Sequence, residues 1–137
     1  AEVSNVNGLK CDEVILSNYD AKEAVEKLVS AYKNKKIRQF MNLISQDYTY
    51  DKDIFESSIR KDFSNLSYIE IYYFINSIIP DKKCKAAVSV NYIKQIENRK
   101  TNEFKSYNGF STLIFENKDG KWLLYDIKPN NLFGTSN

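Results

Sequence analysis

The chain has 137 residues, 42% of them hydrophobic and 28% charged, with a formal net charge of +2, two cysteines and no histidine. That length supports one domain around a single core. A small net charge of mixed sign argues against nucleic acid or an anionic membrane as a partner. Without histidine, a four-ligand zinc site would have to be completed by carboxylates, so neither a metal nor a cofactor is expected.

No apolar run approaches the ~20 residues that a spanning helix requires, so no membrane span is expected. The start at Ala1-Glu2-Val3 lacks an initiator Met, which fits either a removed leader or a trimmed chain. Cys11 and Cys84 would suit a disulfide in an oxidising compartment, and two reduced, half-buried thiols are the alternative. The expected location is extracytoplasmic, periplasmic or secreted.

In chain order, residues 1–17 are Asn- and Ser-rich with little periodicity and are expected to form a flexible N-terminal segment, ordered only if Cys11 or Leu16 ties it down. Residues 18–134 are expected to form one domain. Asp20 as N-cap with Glu23 three positions on announces a first helix, whose apolar stripe is Ala21, Val25, Leu28 and Tyr32 and whose end is Asn34. Lys33, Lys35, Lys36 and Arg38 then read as a solvated helix end, with no interleaved aromatic platform for bases. Ile37, Phe40, Met41 and Ile44 repeat at helical spacing, and Tyr48-Thr49-Tyr50 follows as an extended segment. Asp53 with Glu56 announces a third helix, lined by Phe55, Ile59, Phe63 and Leu66.

The period then changes to two. Tyr68 to Ile79 is apolar on both faces, and Cys84 to Ile96 places Ala86, Val88, Val90 and Tyr92 on one face. Phe104 to Phe115 is a third strand with Gly109 as the expected bulge, and Trp122 to Lys128 is a fourth, entered through the Asn117–Gly120 turn and stopped by Pro129. Three helices before a four-stranded antiparallel meander give an α+β class.

The segments Ala24–Tyr32, Phe40–Tyr48 and Gly120–Leu124 make the chain resemble the nuclear transport factor 2-like superfamily over about Tyr19 to Phe133. The resemblance implies a cystatin-like roll in which the helices pack on a strongly bent sheet and enclose a cone. Superfamily members include isomerases, dehydratases, transport factors and proteins of unassigned role. The isomerase pattern would put a general base near Lys52, between Asp51 and Asp53, and a partner acid near Ser111, which cannot serve as one. The dehydratase pattern relies on histidines that this chain lacks.

Cavity candidates are Tyr32, Tyr48, Tyr50, Tyr72, Tyr92, Trp122 and Asp126. By alternation Asp126 shares a face with Trp122 and Leu124, the face that the superfamily turns to its cavity. Strand twist leaving Asp126 wet at the rim is the other reading. The expected function is a non-enzymatic domain that binds a small apolar ligand or a protein partner through cone or sheet. An isomerase or dehydratase using a cavity carboxylate, or a pure dimerisation module, are the alternatives. Because both faces of the first strand are apolar and short helices cover only one, a homodimer through the outer sheet face is expected, with Val14, Ile15 and Leu16 as the competing cover.

Overall fold

A computed structural model describes residues 16–81 and 84–134. Cys11, Val14 and Ile15 lie outside the described residues. Three described helices, α1 (Asn18–Lys33), α2 (Ile37–Asn42) and α3 (Lys52–Asn65), precede four strands, β1 (Leu66–Asp81), β2 (Lys85–Asn98), β3 (Phe104–Lys118) and β4 (Lys121–Lys128). The strands form one antiparallel sheet in the order β1-β2-β3-β4. This is the expected α+β architecture, with the helices closing one face of the sheet.

Both long helices start earlier than the capping pattern predicts. Ser17 caps α1, its hydroxyl accepting from the Asp20 amide at 3.0 Å, so Asp20 stands in the first turn rather than at the cap. Asp51 caps α3 by accepting from the amides of Asp53 and Ile54, which moves that cap off Asp53. In both places the acidic residue sits in the first turn, where it favours the positive end of the helix dipole without being the cap. Ser17 therefore belongs to the folded unit, and Leu16 beside it is buried in the core. Asn34 closes α1 as expected. The helix α2 stops at Asn42, because Ile44 leaves it to form a parallel bridge with Leu124.

Sixteen residues of β1 would run ~50 Å if straight, too far for a domain of this size. Register shifts relieve this, two in β1 after Leu66 and after Ile75, and one in the β3–β4 pairing at Ile114/Phe115. Gly109 is not among them. The β2–β3 register runs unbroken through Tyr92↔Gly109, and a Cβ at Gly109 would collide with the Tyr92 ring. The glycine makes room for a side chain, with no kink.

The shift in β4 decides where its side chains go. Phe115 pairs with Leu124 and Ile114 with Asp126, so the alternation is broken at Tyr125. Leu124 and Ile127, three apart, are both buried in the core. Asp126 consequently does not share a face with Trp122 and Leu124, contrary to expectation. Trp122 pairs with Asn117 near the hairpin and is only half-buried, packed against the core.

The core lies between the helices and the inner face of the sheet. From β2, Ala86, Val88, Val90 and Tyr92 point into it, each such apolar side chain contributing about 1.5–3 kcal/mol of transfer free energy for the larger ones. Against them sits an aromatic cluster in which Phe133 meets Tyr32 and Phe40 edge-on at 5.0 and 5.1 Å between ring centres. Leu132 and Phe133, from the irregular segment after β4, are completely buried. The C-terminal segment thus fills the space under the helices.

Candidate functional site

Inside the core, the β2 row that runs from Ala86 to Ile96 carries a cation. Lys94 is 1% exposed and donates to the Tyr32 hydroxyl at 2.8 Å, and that hydroxyl donates in turn to the buried Asp62 carboxylate of α3. The Lys94 ammonium also stands 4.9 Å from the centre of the Tyr32 ring. Burial pulls the Lys94 pKa down to about 8, partly opposed by Asp62. Burial, then the Asp62 charge and hydrogen bond, push Tyr32 well above the ordinary phenol range. A lysine with a depressed pKa beside a tyrosine could act as a base, yet each group here is spent on another and sealed from solvent.

The second location is a cleft of about 790 Å³ at the rim, between the start of α3, the 48–50 segment and the end of β4. Tyr48, Tyr50, Lys61, Asp126, Lys128 and Asn130 give it its character. Tyr48 stacks on Phe55 with ring centres 5.0 Å apart. Desolvation, and then the Asp126 charge, raise the Tyr48 pKa, so its hydroxyl stays a donor at neutral pH. Asp126 is 9% exposed, and its Oδ1 accepts from the Thr49 hydroxyl at 2.7 Å and the Ile127 amide at 2.9 Å. The other oxygen, Oδ2, faces the Lys128 ammonium at 3.5 Å.

The third location is the outer face of the sheet. Phe74, Asn91 and Phe110 lie side by side across β1, β2 and β3, next to the row Tyr72, Ile93, Asn108. Toward the far end, Tyr68 and Phe104 approach to 6.4 Å between ring centres across Glu97. Phe74 is 67% exposed, and Tyr68, Tyr72, Ile93, Phe104 and Phe110 are exposed as well.

The cavity candidates therefore separate. Tyr48, Tyr50 and Asp126 meet in the rim cleft. Tyr32 is a core residue held by Asp62 and Lys94, and Tyr92 is a core residue packed over Gly109. Tyr72 lies on the outer face, and Trp122 borders a smaller cleft of about 380 Å³ with Leu28 and Phe115. Ser111 is buried and donates to the Pro129 carbonyl at 2.7 Å, while Asp51 is used as a cap. Cys84 is disulfide-bonded. Among the described residues, no group of three or more Cys, Asp or Glu could hold a metal ion, and no helix is long and apolar enough to cross a membrane. Sequence reasoning missed Lys94 and Asp62. Their signal was a charged residue at a core position of an otherwise apolar period, Lys94 two after Tyr92 and Asp62 three after Ile59.

Solved structures share this architecture. A conserved protein from Planctomyces limnophilus superposes with a TM-score of 0.71 at 14% identity, over 78% of this chain and 89% of that one. The ketosteroid isomerase-like protein from Erwinia carotovora atroseptica gives 0.67 at 13% identity, over 77% and 88%. A nuclear transport factor 2-like protein of unknown function from Shewanella oneidensis gives 0.60 at 15%, over 79% and 93%. The fold is nuclear transport factor 2-like. No family model and no curated protein matches the sequence. At these identities the likeness to this fold extends to architecture and not to chemistry.

Proposed function

We propose that this nuclear transport factor 2-like domain is a non-enzymatic interaction module that pairs with a second copy of itself through the outer face of its sheet, in an oxidising compartment outside the cytoplasm. The observation that carries the reading is the contiguous set Tyr72, Phe74, Ile93 and Phe110 on adjacent strands, exposed on the side away from the helices. A monomer that left this face in water would carry an apolar patch of the kind that usually marks a contact surface. Two copies related by a two-fold axis cover it with the same residues on each side, on the usual scale of ~800 Å² per partner.

The interior supports leaving catalysis out of this reading. Leu132 and Phe133 occupy the space where a cone would hold an apolar ligand, and Lys94, Tyr32 and Asp62 satisfy one another there. The compartment rests on the disulfide at Cys84, since such bonds persist where the surroundings are oxidising.

Sedimentation velocity at low and high micromolar concentration tests the pairing. The native chain should sediment as a dimer, and the double substitution Phe74→Asp, Phe110→Asp should give a folded monomer. A native chain that stays monomeric at both concentrations defeats the proposal.

A further inference from the structure

We propose that the rim cleft bounded by Tyr48, Tyr50, Lys61, Asp126, Lys128 and Asn130 binds a neutral polyhydroxylated ring, a small sugar, independently of any pairing through the sheet. Its volume of about 790 Å³ lies within the range of small-molecule sites. Its walls decide what fits.

Asp126 is the centre of the argument. Two donors already hold Oδ1, whereas among the described residues Oδ2 faces the Lys128 ammonium, itself on a largely exposed side chain. A purely apolar ligand would strip water from Oδ2 and give nothing in return. An anion would meet that carboxylate, and a cation would meet the ammonium groups of Lys61 and Lys128. A hydroxyl escapes both penalties, because it donates to a carboxylate and accepts from an ammonium at once. Asn130 offers a further donor and acceptor on the same wall.

The aromatic side completes the match. Tyr50 is exposed and borders the cleft, and Tyr48 is fixed beside it by stacking on Phe55. A sugar ring has an apolar C–H face and a polar rim of hydroxyls. Its face can cover the Tyr50 ring while its hydroxyls reach Asp126, Lys128 and the protonated Tyr48 hydroxyl. Apart from Lys61 of α3, the polar groups come from β4 and the segment after it, and the rings from the 48–50 segment, so the ligand would bridge elements that the fold already holds together through Thr49 and Asp126.

Amide NMR shifts test this, with glucose, galactose, N-acetylglucosamine and cellobiose as probes to about 50 mM and benzoate as the aromatic anion for comparison. At least one sugar should saturate shifts of Tyr50, Ile127 and Asn130 with a Kd in the millimolar range or tighter. Tyr50→Ala removes an exposed ring and should weaken that binding about tenfold in a folded protein, and Asp126→Asn should weaken it as well. Phe74→Asp, on the far face, should leave it unchanged, which separates this site from the pairing surface. Absence of saturable shifts with every sugar overturns the proposal. So does benzoate saturating the same amides more tightly than any sugar, or sugar binding that survives Tyr50→Ala undiminished.

Discussion

Lys94 and Tyr32 meet at 2.8 Å between a strand and a helix that are 62 positions apart in the chain, and the contact is wholly shut off from water. Asp62 joins them from a second helix. A charged pair in such a place costs desolvation that only close, complete bonding offsets. Tyr32→Phe deletes the hydroxyl through which the two charges communicate and should lower the unfolding free energy by about 1–3 kcal/mol. Lys94→Met removes a buried cation that the Asp62 charge favours and should cost about 3–5 kcal/mol. Urea unfolding of both variants checks the order, and Lys94→Met proving as stable as the native chain would show that Asp62 does not depend on it.

The same residues set a pH dependence. Lys94 has a folded pKa of about 8, below its ordinary value of 10.5, so between those values the unfolded chain binds the extra proton. Stability should therefore rise as pH increases from about 8 toward 10, by up to ~3 kcal/mol in total. Tyr32 shifts the other way, and Tyr48, Tyr73 and Tyr92 are raised with it, chiefly by burial. Above pH 10 the unfolded chain loses those phenolic protons first, and stability should fall. Unfolding free energies at pH 7, 8, 9, 10 and 11 should trace a maximum near 10, and Lys94→Met should flatten only the rising limb.

Gly109 predicts a coupled pair. Gly109→Ala puts a methyl group against the Tyr92 ring and should destabilise by about 1–3 kcal/mol through overpacking. Tyr92→Ala costs its own burial, but in that background Gly109→Ala should cost little. A double-mutant cycle measures the interaction directly, and additive effects would mean that the ring and the glycine do not constrain each other.

Ser17→Ala and Asp51→Ala should each cost about 1 kcal/mol, whereas Asp20→Ala should cost no more than a few tenths beyond its charge effect. Thermal unfolding of the three variants distinguishes the observed caps from the expected ones. Asp20→Ala proving the worst would reverse the assignment of the α1 cap.

These comparisons show which parts of the molecule could be read from the chain. Periodicity alone located the three helices, the four strands and the core face of β2 from Ala86 to Tyr92, because each local apolar pattern agrees with where the fold needs it. Strand faces in β4 could not be read that way. A single extra residue at Tyr125 reverses every later position, and no local signal near Trp122 announces it. Nor could the cone's contents be foreseen. Phe133 follows Pro129 in a segment without period, and its place between Tyr32 and Phe40 is a long-range fact. Tyr48, Tyr50 and Asp126 border one cleft because the 48–50 segment lies along β4, where Thr49 donates to Asp126, and that neighbourhood is long-range.

The way Leu43 to Thr49 runs along β4 has a further consequence. Leu124 donates to the Leu43 carbonyl and accepts from Ser45, and Tyr125 accepts from Thr49, so the backbone groups that would otherwise template another strand there are occupied. On the opposite margin, the Glu70 carboxylate accepts from the Ile71 amide and holds Lys33 at 3.2 Å, planting a charge pair in the first half of β1. Both margins of the sheet are thus guarded by the chain itself, one by backbone pairing and one by charge. Both features disfavour strand-to-strand addition of further copies. The pairing proposed above uses a face instead, where a two-fold contact closes on itself and stops at a finite size.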